Sequence, residues 1–362
     1  MPKKHKKQKD IKCLVWDLDG TLWEGILLEQ DHVKLKPGIR KIIRTLDSRG
    51  ILQSIASKND PEAALSKVRE FGLGDYFLFP EIGWNAKSVS IQRIRQQLNI
   101  GMDSILFIDD QPFERDEVRH EHPQVHCLDA SEYKTLLDHP RLNPRFLSGD
   151  SRRRRLMYLE DIKRKTEEKD YQGPKNDFLR GLGIEFSISQ ASLEDLQRAE
   201  ELMVRTNQLN TTGIMYSYDQ LKKYVDSASH RLFIAEMKDK YGSFGKIGLA
   251  LVKIAEEFWH IRLFLMSCRV MSYGVGTVFL TYILRQAGIE GKRVLVDFKE
   301  TGKNRMMLIT LKFAGFKVAI SDRRGVRVFE NNLDTVQDFP PYIRVLAPKH
   351  LRGRNRIHGT RV

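Results

Sequence analysis

Between Ile11 and about Ala130 the chain alternates short apolar runs with segments of helical spacing, and that alternation points to a parallel sheet covered by crossover helices. The runs are Cys13 to Trp16, Ile51 to Ala56, Ile105 to Ile108 and Val125 to Leu128. Between them Ile39, Ile42, Ile43 and Leu46, and then Ile91, Ile94 and Leu98, recur at helical steps, which gathers each set on one helix face. The spacing predicts a doubly wound α/β domain over residues 11–132.

From 133 to 180 charge is dense and Pro140, Pro144, Gly173 and Pro174 interrupt any pattern, so the segment reads as a charged linker with a helix near Arg153 to Lys165. Beyond it the order changes. A helix near Leu193 to Arg205 precedes strand-like runs at Arg231 to Met237, Ile247 to Ile254 and Trp259 to Met266. Then come a helix from Gly274 to Ala287, a strand at Val294 to Phe298, a helix near Arg305 to Ala314 and a strand at Phe316 to Ile320. That succession predicts an α+β domain with a mixed sheet over 181–347, flanked by basic tails at 1–10 and 348–362.

Lys and Arg outnumber Asp and Glu by 61 to 47, a net charge of +14, which favours acidic partners. Much of the excess sits in runs expected to be solvated, namely Lys3 to Lys9, Arg152 to Arg155 and Lys349 to Arg361, so a specific nucleic-acid surface is not expected. Three scattered cysteines make no disulfide framework and suit a reducing cytosol. No apolar stretch has the length of a membrane span or the character of a signal peptide.

The first apolar run ends in Trp16-Asp17-Leu18-Asp19-Gly20-Thr21. Two carboxylates two residues apart leave a strand on the same side, at the carboxyl edge where open α/β sheets bind ligands. Asp17 can then attack phosphorus while Asp19 handles the proton of the leaving or incoming group. The next strand delivers Ser57, Lys58 and Asn59, and the third delivers Asp109 and Asp110. Oxygen ligands from Asp17, Asp109 and the region of Asp19 suit Mg²⁺, Lys87 at a helix start supplies a positive charge, and Ser57 a hydroxyl donor. Thr21, Lys58, Asn59 and Asp110 are assigned to the substrate. Each residue taken singly is compatible with an ordinary solvated turn; the ordered set is what points to phosphoryl chemistry.

A second candidate lies at Ser267-Cys268-Arg269-Val270, followed by Tyr273-Gly274-Val275-Gly276 at a helix start. Gly274 and Gly276 open the helix N-terminus to a phosphate, and Cys268 beside Arg269 is placed for thiolate chemistry. The alternative for Cys268 is a small buried hydrophobe. Cys13 and Cys127 are expected in the core, and His260 as a hydrogen-bonded strand residue.

Asp17-Leu18-Asp19-Gly20-Thr21, with Ser57, Lys87 and Asp109-Asp110 in order, is similar to the motif set of the haloacid dehalogenase superfamily, whose mechanism implies a phospho-aspartate on Asp17. About forty residues separate Asp17 from Ser57 and about thirty separate Ser57 from Lys87, too few for a large cap. With the stretches Arg205 to Thr212, Phe264 to Val270 and Lys303-Asn304, the chain from Ile11 to about Phe316 resembles the FkbH-like family. Members of that family join a subfamily IIIC, Rossmann-like phosphatase domain to a domain resembling the Gcn5-related N-acetyltransferases. The resemblance implies loading of a glyceryl unit from 1,3-bisphosphoglycerate, a phosphorylated acyl donor, onto the phosphopantetheine thiol of an acyl carrier protein, with loss of the remaining phosphate. Cys268 then carries the thioester, Asn207, Gln208 and Asn210 lie near the acyl group, and Lys303 and Asn304 near its carboxyl or phosphate end; helix capping or turn formation is the alternative for the three amides. The chain departs from the family pattern at Gly20, Glu24, Arg262 and Ser272 to Gly276. Two other readings stand beside this one: a Mg²⁺-dependent phosphatase for another phosphoester whose second domain only binds substrate, and a basic binding module without catalysis.

Overall fold

The computed structural model describes residues 10–29, 32–145, 147–321, 325–334 and 336–348. The chain divides into two compact units between Ile162 and Lys163. Both basic tails, apart from Asp10 and Pro348, lie outside the described residues.

The first unit is built on Cys13–Trp16, whose four side chains are all fully buried. Leu52–Ser57 and Ile105–Asp109 flank it in parallel, and Glu81–Ile82 and His126–Asp129 complete a five-stranded parallel sheet. The helix Ile39–Ser48 turns Ile39, Ile42, Ile43 and Leu46 inward, each worth roughly 1.5–3 kcal/mol of burial before entropy. The helix Lys87–Leu98 buries Ile91, Ile94 and Leu98 and stops at Asn99, which takes the left-handed conformation. Between Thr21 and Lys36 the described residues hold a two-stranded ribbon, Trp23–Glu24 against Lys34–Leu35, in place of a cap domain.

The second unit holds an eight-stranded mixed sheet. Its centre is Gly242–Ile254, antiparallel to both His230–Asp239 and Phe258–Met266. Phe258–Met266 pairs in parallel with Arg293–Lys299 only as far as Ile261 with Val296, although both strands continue. The segment Leu209 to Thr211 fills the opening: Met266 N donates to Leu209 O (2.9 Å), Thr211 N to Phe264 O (3.0 Å) and Lys299 N to Thr211 O (2.9 Å). The expected elements are present with ends shifted by a few residues. The strands Ile184–Gln190, Val326–Asn331 and Ile343–Leu346 and the helix Tyr218–Val225 were not anticipated. Among the described residues no helix is long and apolar enough to cross a membrane.

The segment expected as a linker is ordered structure. In the first unit Tyr133, Leu136 and Leu142 enter the core, the Arg154 guanidinium donates to Gly50 O (2.6 Å), and Arg155 pairs with Asp47 (2.9 Å). The helix itself runs Arg154–Asp170. Its arginines were expected to be solvated, but long cationic side chains bury their stems when the guanidinium finds oxygen partners. In the second unit Arg164 makes a buried fork onto Asp239, whose carboxylate also accepts Tyr241 N (2.9 Å) and Gly242 N (3.2 Å). Arg164→Ala would strand that carboxylate, and we expect a loss of about 3–5 kcal/mol in urea unfolding; a loss below about 1 kcal/mol would contradict the pairing.

Candidate active site

The register of the parallel sheet brings the site together. Trp16 pairs with Ile55 on one side and Ile108 on the other, so the next step along each strand sets Asp17 between Ala56 and Asp109. Lys87, 3 % exposed at the first position of its helix, reaches all three: its ammonium bonds Asp17 Oδ1, Asp109 Oδ2 (3.0 Å) and Ala56 O (2.9 Å). Burial alone would lower the Lys87 pKa, but the charges of Asp17 and Asp109 carry it above the ordinary lysine value.

Asp110 completes the acidic group. Asp17, Asp109 and Asp110 each offer a carboxylate oxygen, all within 4.8 Å of one another. Burial and the charge of Asp17 push Asp109 up to about 6 and raise Asp110 as well. Three carboxylates against one ammonium leave two negative charges, the balance that one divalent cation corrects, and hard oxygen donors at this spacing fit Mg²⁺. The site therefore fits the ion expected from sequence.

Asp19, whose region was expected to offer the metal an oxygen through a backbone carbonyl, keeps its carboxylate outside this cluster, held by other donors: Trp23 Nε1 (2.7 Å) and Leu27 N (3.0 Å) at Oδ1, and Asn59 Nδ2 (2.8 Å) at Oδ2. Burial raises its pKa against the pull of the Trp23 and Leu27 donors, with the charge of Asp17 assisting. Asp110, assigned from sequence to the substrate, stands instead with Asp17 and Asp109 in the group of carboxylates that could hold the ion. Trp23, the partner of Asp19 four residues on, was not anticipated; an indole donor just past an acidic pair is the signal that pointed to it.

The turn between these groups is tightly specified. Gly20 takes φ +63°, and a Cβ there would lie 2.5 Å from Asp110 Oδ2, so both conformation and space call for glycine. The buried Thr21 hydroxyl accepts Asp110 N (3.1 Å), and Lys36 donates to Gly20 O. Thr21 is thereby a positioning group. Gln111 N donates to Asp109 Oδ1 (2.8 Å), and Arg115 ties Asp109 O (2.8 Å) to Asp129 (2.6 Å). Ser57 ends its strand at the same edge, 3 % exposed, while Lys58 is paired with Glu114 (2.7 Å).

The second candidate site is less complete. A small cavity of about 50 Å³ is lined by Leu209, Phe264, Met266, Met307, Gly274 and Gly276 among others. Cys268 and Arg269 are not among its walls. Cys268 is partly exposed and opens the 3₁₀ turn Cys268–Tyr273, which separates it from the helix starting at Val275, and Arg269 donates to Phe244 O (2.9 Å). The rest of that 3₁₀ turn and Gly274 thus stand in sequence between the thiol and the helix start.

Asn210, expected near the acyl group, and Asn304, expected near its carboxyl or phosphate end, are both bonded to the backbone. Asn210 Oδ1 accepts Thr212 N (3.1 Å) and Gly213 N (2.9 Å), a turn within the wedge at 209–211. Asn304 Oδ1 accepts Thr301 N (3.0 Å), while its Nδ2 donates to Asn210 O and Lys299 O, both at 2.9 Å. Both are buried structural groups, whereas Asn207, Gln208 and Lys303 are exposed. His260 is a satisfied strand residue, 2.7 Å from Asp297, and Arg262 pairs with the same carboxylate (3.2 Å), so the base at 262 balances a buried acid. Cys13 and Cys127 are core residues; burial raises both thiols, Cys127 to about 11.

No family model matches the chain, and no curated protein does. It is similar to the solved N-terminal part of a Bacteroides fragilis protein, containing a phosphatase domain complexed with Mg, at 29 % identity over 37 % of this chain and 40 % of that one, TM-score 0.33. The chain thus spans about two fifths of that structure. A PaiA N-acetyltransferase from Thermoplasma acidophilum in complex with coenzyme A is 15 % identical over 40 % of this chain and 98 % of its own, TM-score 0.33. The ribosomal-protein-S18-alanine N-acetyltransferase of Escherichia coli is 12 % identical over 40 % of this chain and 92 % of its own, TM-score 0.32.

Mg²⁺ should raise the midpoint of thermal unfolding, by about 2.7 kcal/mol of stabilisation at a hundredfold excess over Kd. The increment should shrink in Asp109→Asn and in Asp110→Asn. Because Asp109 is raised to about 6, protons compete for its oxygens below that pH, so Mg²⁺ affinity measured by calorimetry should fall as pH is lowered through about 6. Affinity independent of pH across that range would contradict ligation by Asp109.

Proposed function

We propose that the first unit is a Mg²⁺-dependent phosphoryl hydrolase acting through an aspartyl phosphate on Asp17. The observation that carries this reading is the convergence of Asp17, Asp109 and Asp110, the first two paired with the buried Lys87 ammonium, with the Asp19 carboxylate held by Asn59. The bound ion would draw charge from the phosphoryl oxygens. Asp17 attacks phosphorus and the bond to the leaving oxygen breaks, while Asp19, kept protonated more readily by its burial, gives that oxygen its proton. Asp19 then takes a proton from water, the water oxygen bonds to phosphorus, and inorganic phosphate departs to restore the Asp17 carboxylate. Lys87 holds Asp17 in place, and the Ser57 hydroxyl at the same edge is a donor for a phosphoryl oxygen.

The finer reading joins this to acyl transfer. In it the Cys268 thiolate attacks the acyl phosphate of 1,3-bisphosphoglycerate, phosphate leaves, and the thiol of a carrier protein's phosphopantetheine arm takes the phosphoglyceryl unit by thioester exchange; the first unit removes the remaining phosphate. What supports it is the sequence resemblance, the partly exposed Cys268 and a net charge of +14 that suits an acidic carrier. Free thiols at Cys13, Cys127 and Cys268 suit a reducing cytosol for this chemistry. A second reading, phosphatase alone with a substrate-binding second unit, is favoured by Asn210 and Asn304 being bound to the backbone and by Cys268 standing off the cavity.

Phosphate release by the purified protein with Mg²⁺ should fall at least about a thousandfold in Asp17→Asn and roughly 10²–10⁴-fold in Asp19→Asn. Incubation with 1,3-bisphosphoglycerate should add mass at Cys268. Phosphate release that survives Cys268→Ala, with no adduct on the wild type, would decide for the second reading.

A further inference from the structure

Exposed apolar side chains stand close in sequence to the groups of the phosphoryl site, and the chemistry above does not use them. Seven large apolar residues of the first unit are exposed among those described: Ile26, Leu28, Trp84, Val89, Phe113, Leu147 and Leu156. Five of them belong to the segments that position the site. Trp84, 70 % exposed, stands in the turn three residues before Lys87, and Val89 is in the first turn of the same helix. Phe113, 75 % exposed, stands three residues after Asp110 at the start of the helix Pro112–Glu121. Ile26 and Leu28 flank Leu27, whose backbone N–H holds Asp19. Exposed apolar residues scattered singly need no explanation, but here three segments that follow strands of one parallel sheet carry five of the seven, each within a few residues of Lys87, of Asp110 or of the Leu27 N–H that holds Asp19.

The loops do not leave these rings exposed for want of a core. Trp23, on the ribbon just after Thr21, is fully buried and bonded to Asp19, so the same edge can bury an indole where one is needed for the fold. A small polar phosphate ester has nothing to match to a free indole and a free phenyl ring, whereas an aromatic or apolar body stacks on both. From this we infer that the phosphoester handled by the first unit hangs from a body with an apolar or aromatic face, gripped by Trp84 and Phe113 while the phosphate reaches Asp17. The inference rests on the phosphoryl reading of the first unit and goes with the second reading above, because a phosphoglyceryl unit by itself offers no apolar face.

The test compares kcat/KM for 1-naphthyl phosphate with that for acetyl phosphate, with Mg²⁺ present, in the wild type, Trp84→Ala, Phe113→Ala and Trp84→Phe. Loss of binding that is equal in the ground and transition states appears in KM. The naphthyl-to-acetyl ratio should fall about tenfold in each alanine variant, through KM for the naphthyl ester, and return in Trp84→Phe. Both side chains are exposed, so the variants should unfold at the wild-type temperature. A ratio unchanged in both alanine variants overturns the inference alone. A wild type that hydrolyses neither ester, or an Asp17→Asn that hydrolyses both at the wild-type rate, overturns the phosphoryl reading and this inference with it.

Discussion

A lysine ammonium buried between two aspartates holds the first unit's chemistry together. Lys87 touches groups from three adjacent parallel strands, so it neutralises as well as hydrogen-bonds the polar edge above them. Removing such a charge leaves its partners buried and unpaired, which costs several kcal/mol. The same ammonium leaves two carboxylate charges over once Asp110 is counted, so the arrangement that stabilises the edge also creates the demand for a dication. Structure and chemistry share one electrostatic balance there.

Around that centre the local backbone is shaped to keep roles apart. Asp17 and Asp19 are two residues apart, but the turn through Gly20 and Thr21 sends one toward Lys87 and hands the other to Trp23, Leu27 and Asn59. Two carboxylates close in sequence thus meet different surroundings, which is what the proposed mechanism asks of a nucleophile and a neighbouring acid. Gly20 is the hinge of the division, since any side chain there would press on Asp110.

The parallel sheet and most of the site were legible in the sequence, because fully buried strands leave continuous apolar runs and their carboxyl ends then show as abrupt polar residues: Asp17 after Trp16, Ser57 after Ala56, Asp109 after Ile108. What spacing could not give was which carboxylate stands with Asp17 and Asp109: Asp110 does, while hydrogen bonds from Leu27 and Asn59 hold Asp19 apart. The segment 133–180 was obscured for a different reason. Its arginines read as solvent-facing, yet Arg154 and Arg155 find a carbonyl and a carboxylate far away in sequence, and Arg164 does the same in the second unit. In that unit Asn210 and Asn304 were placed at the acyl unit by resemblance alone, with turn formation the alternative for Asn210; their partners are the backbone in and around the wedge between two strands. The strands Ile184–Gln190 and Val326–Asn331 mix charged and apolar residues, and neighbouring strands supply the pairing that their own composition does not announce.

The central claim is covalent, that phosphorus passes through the carboxylate of Asp17, and trapping tests it most directly. Protein quenched during turnover with Mg²⁺ and reduced with borohydride converts an aspartyl phosphate to homoserine, which tandem mass spectrometry places in the sequence. The account predicts homoserine at position 17, absent without Mg²⁺ and absent in unreacted protein. Steady phosphate release with aspartate intact at position 17 under the same quench, or with the reduced residue elsewhere, would contradict it.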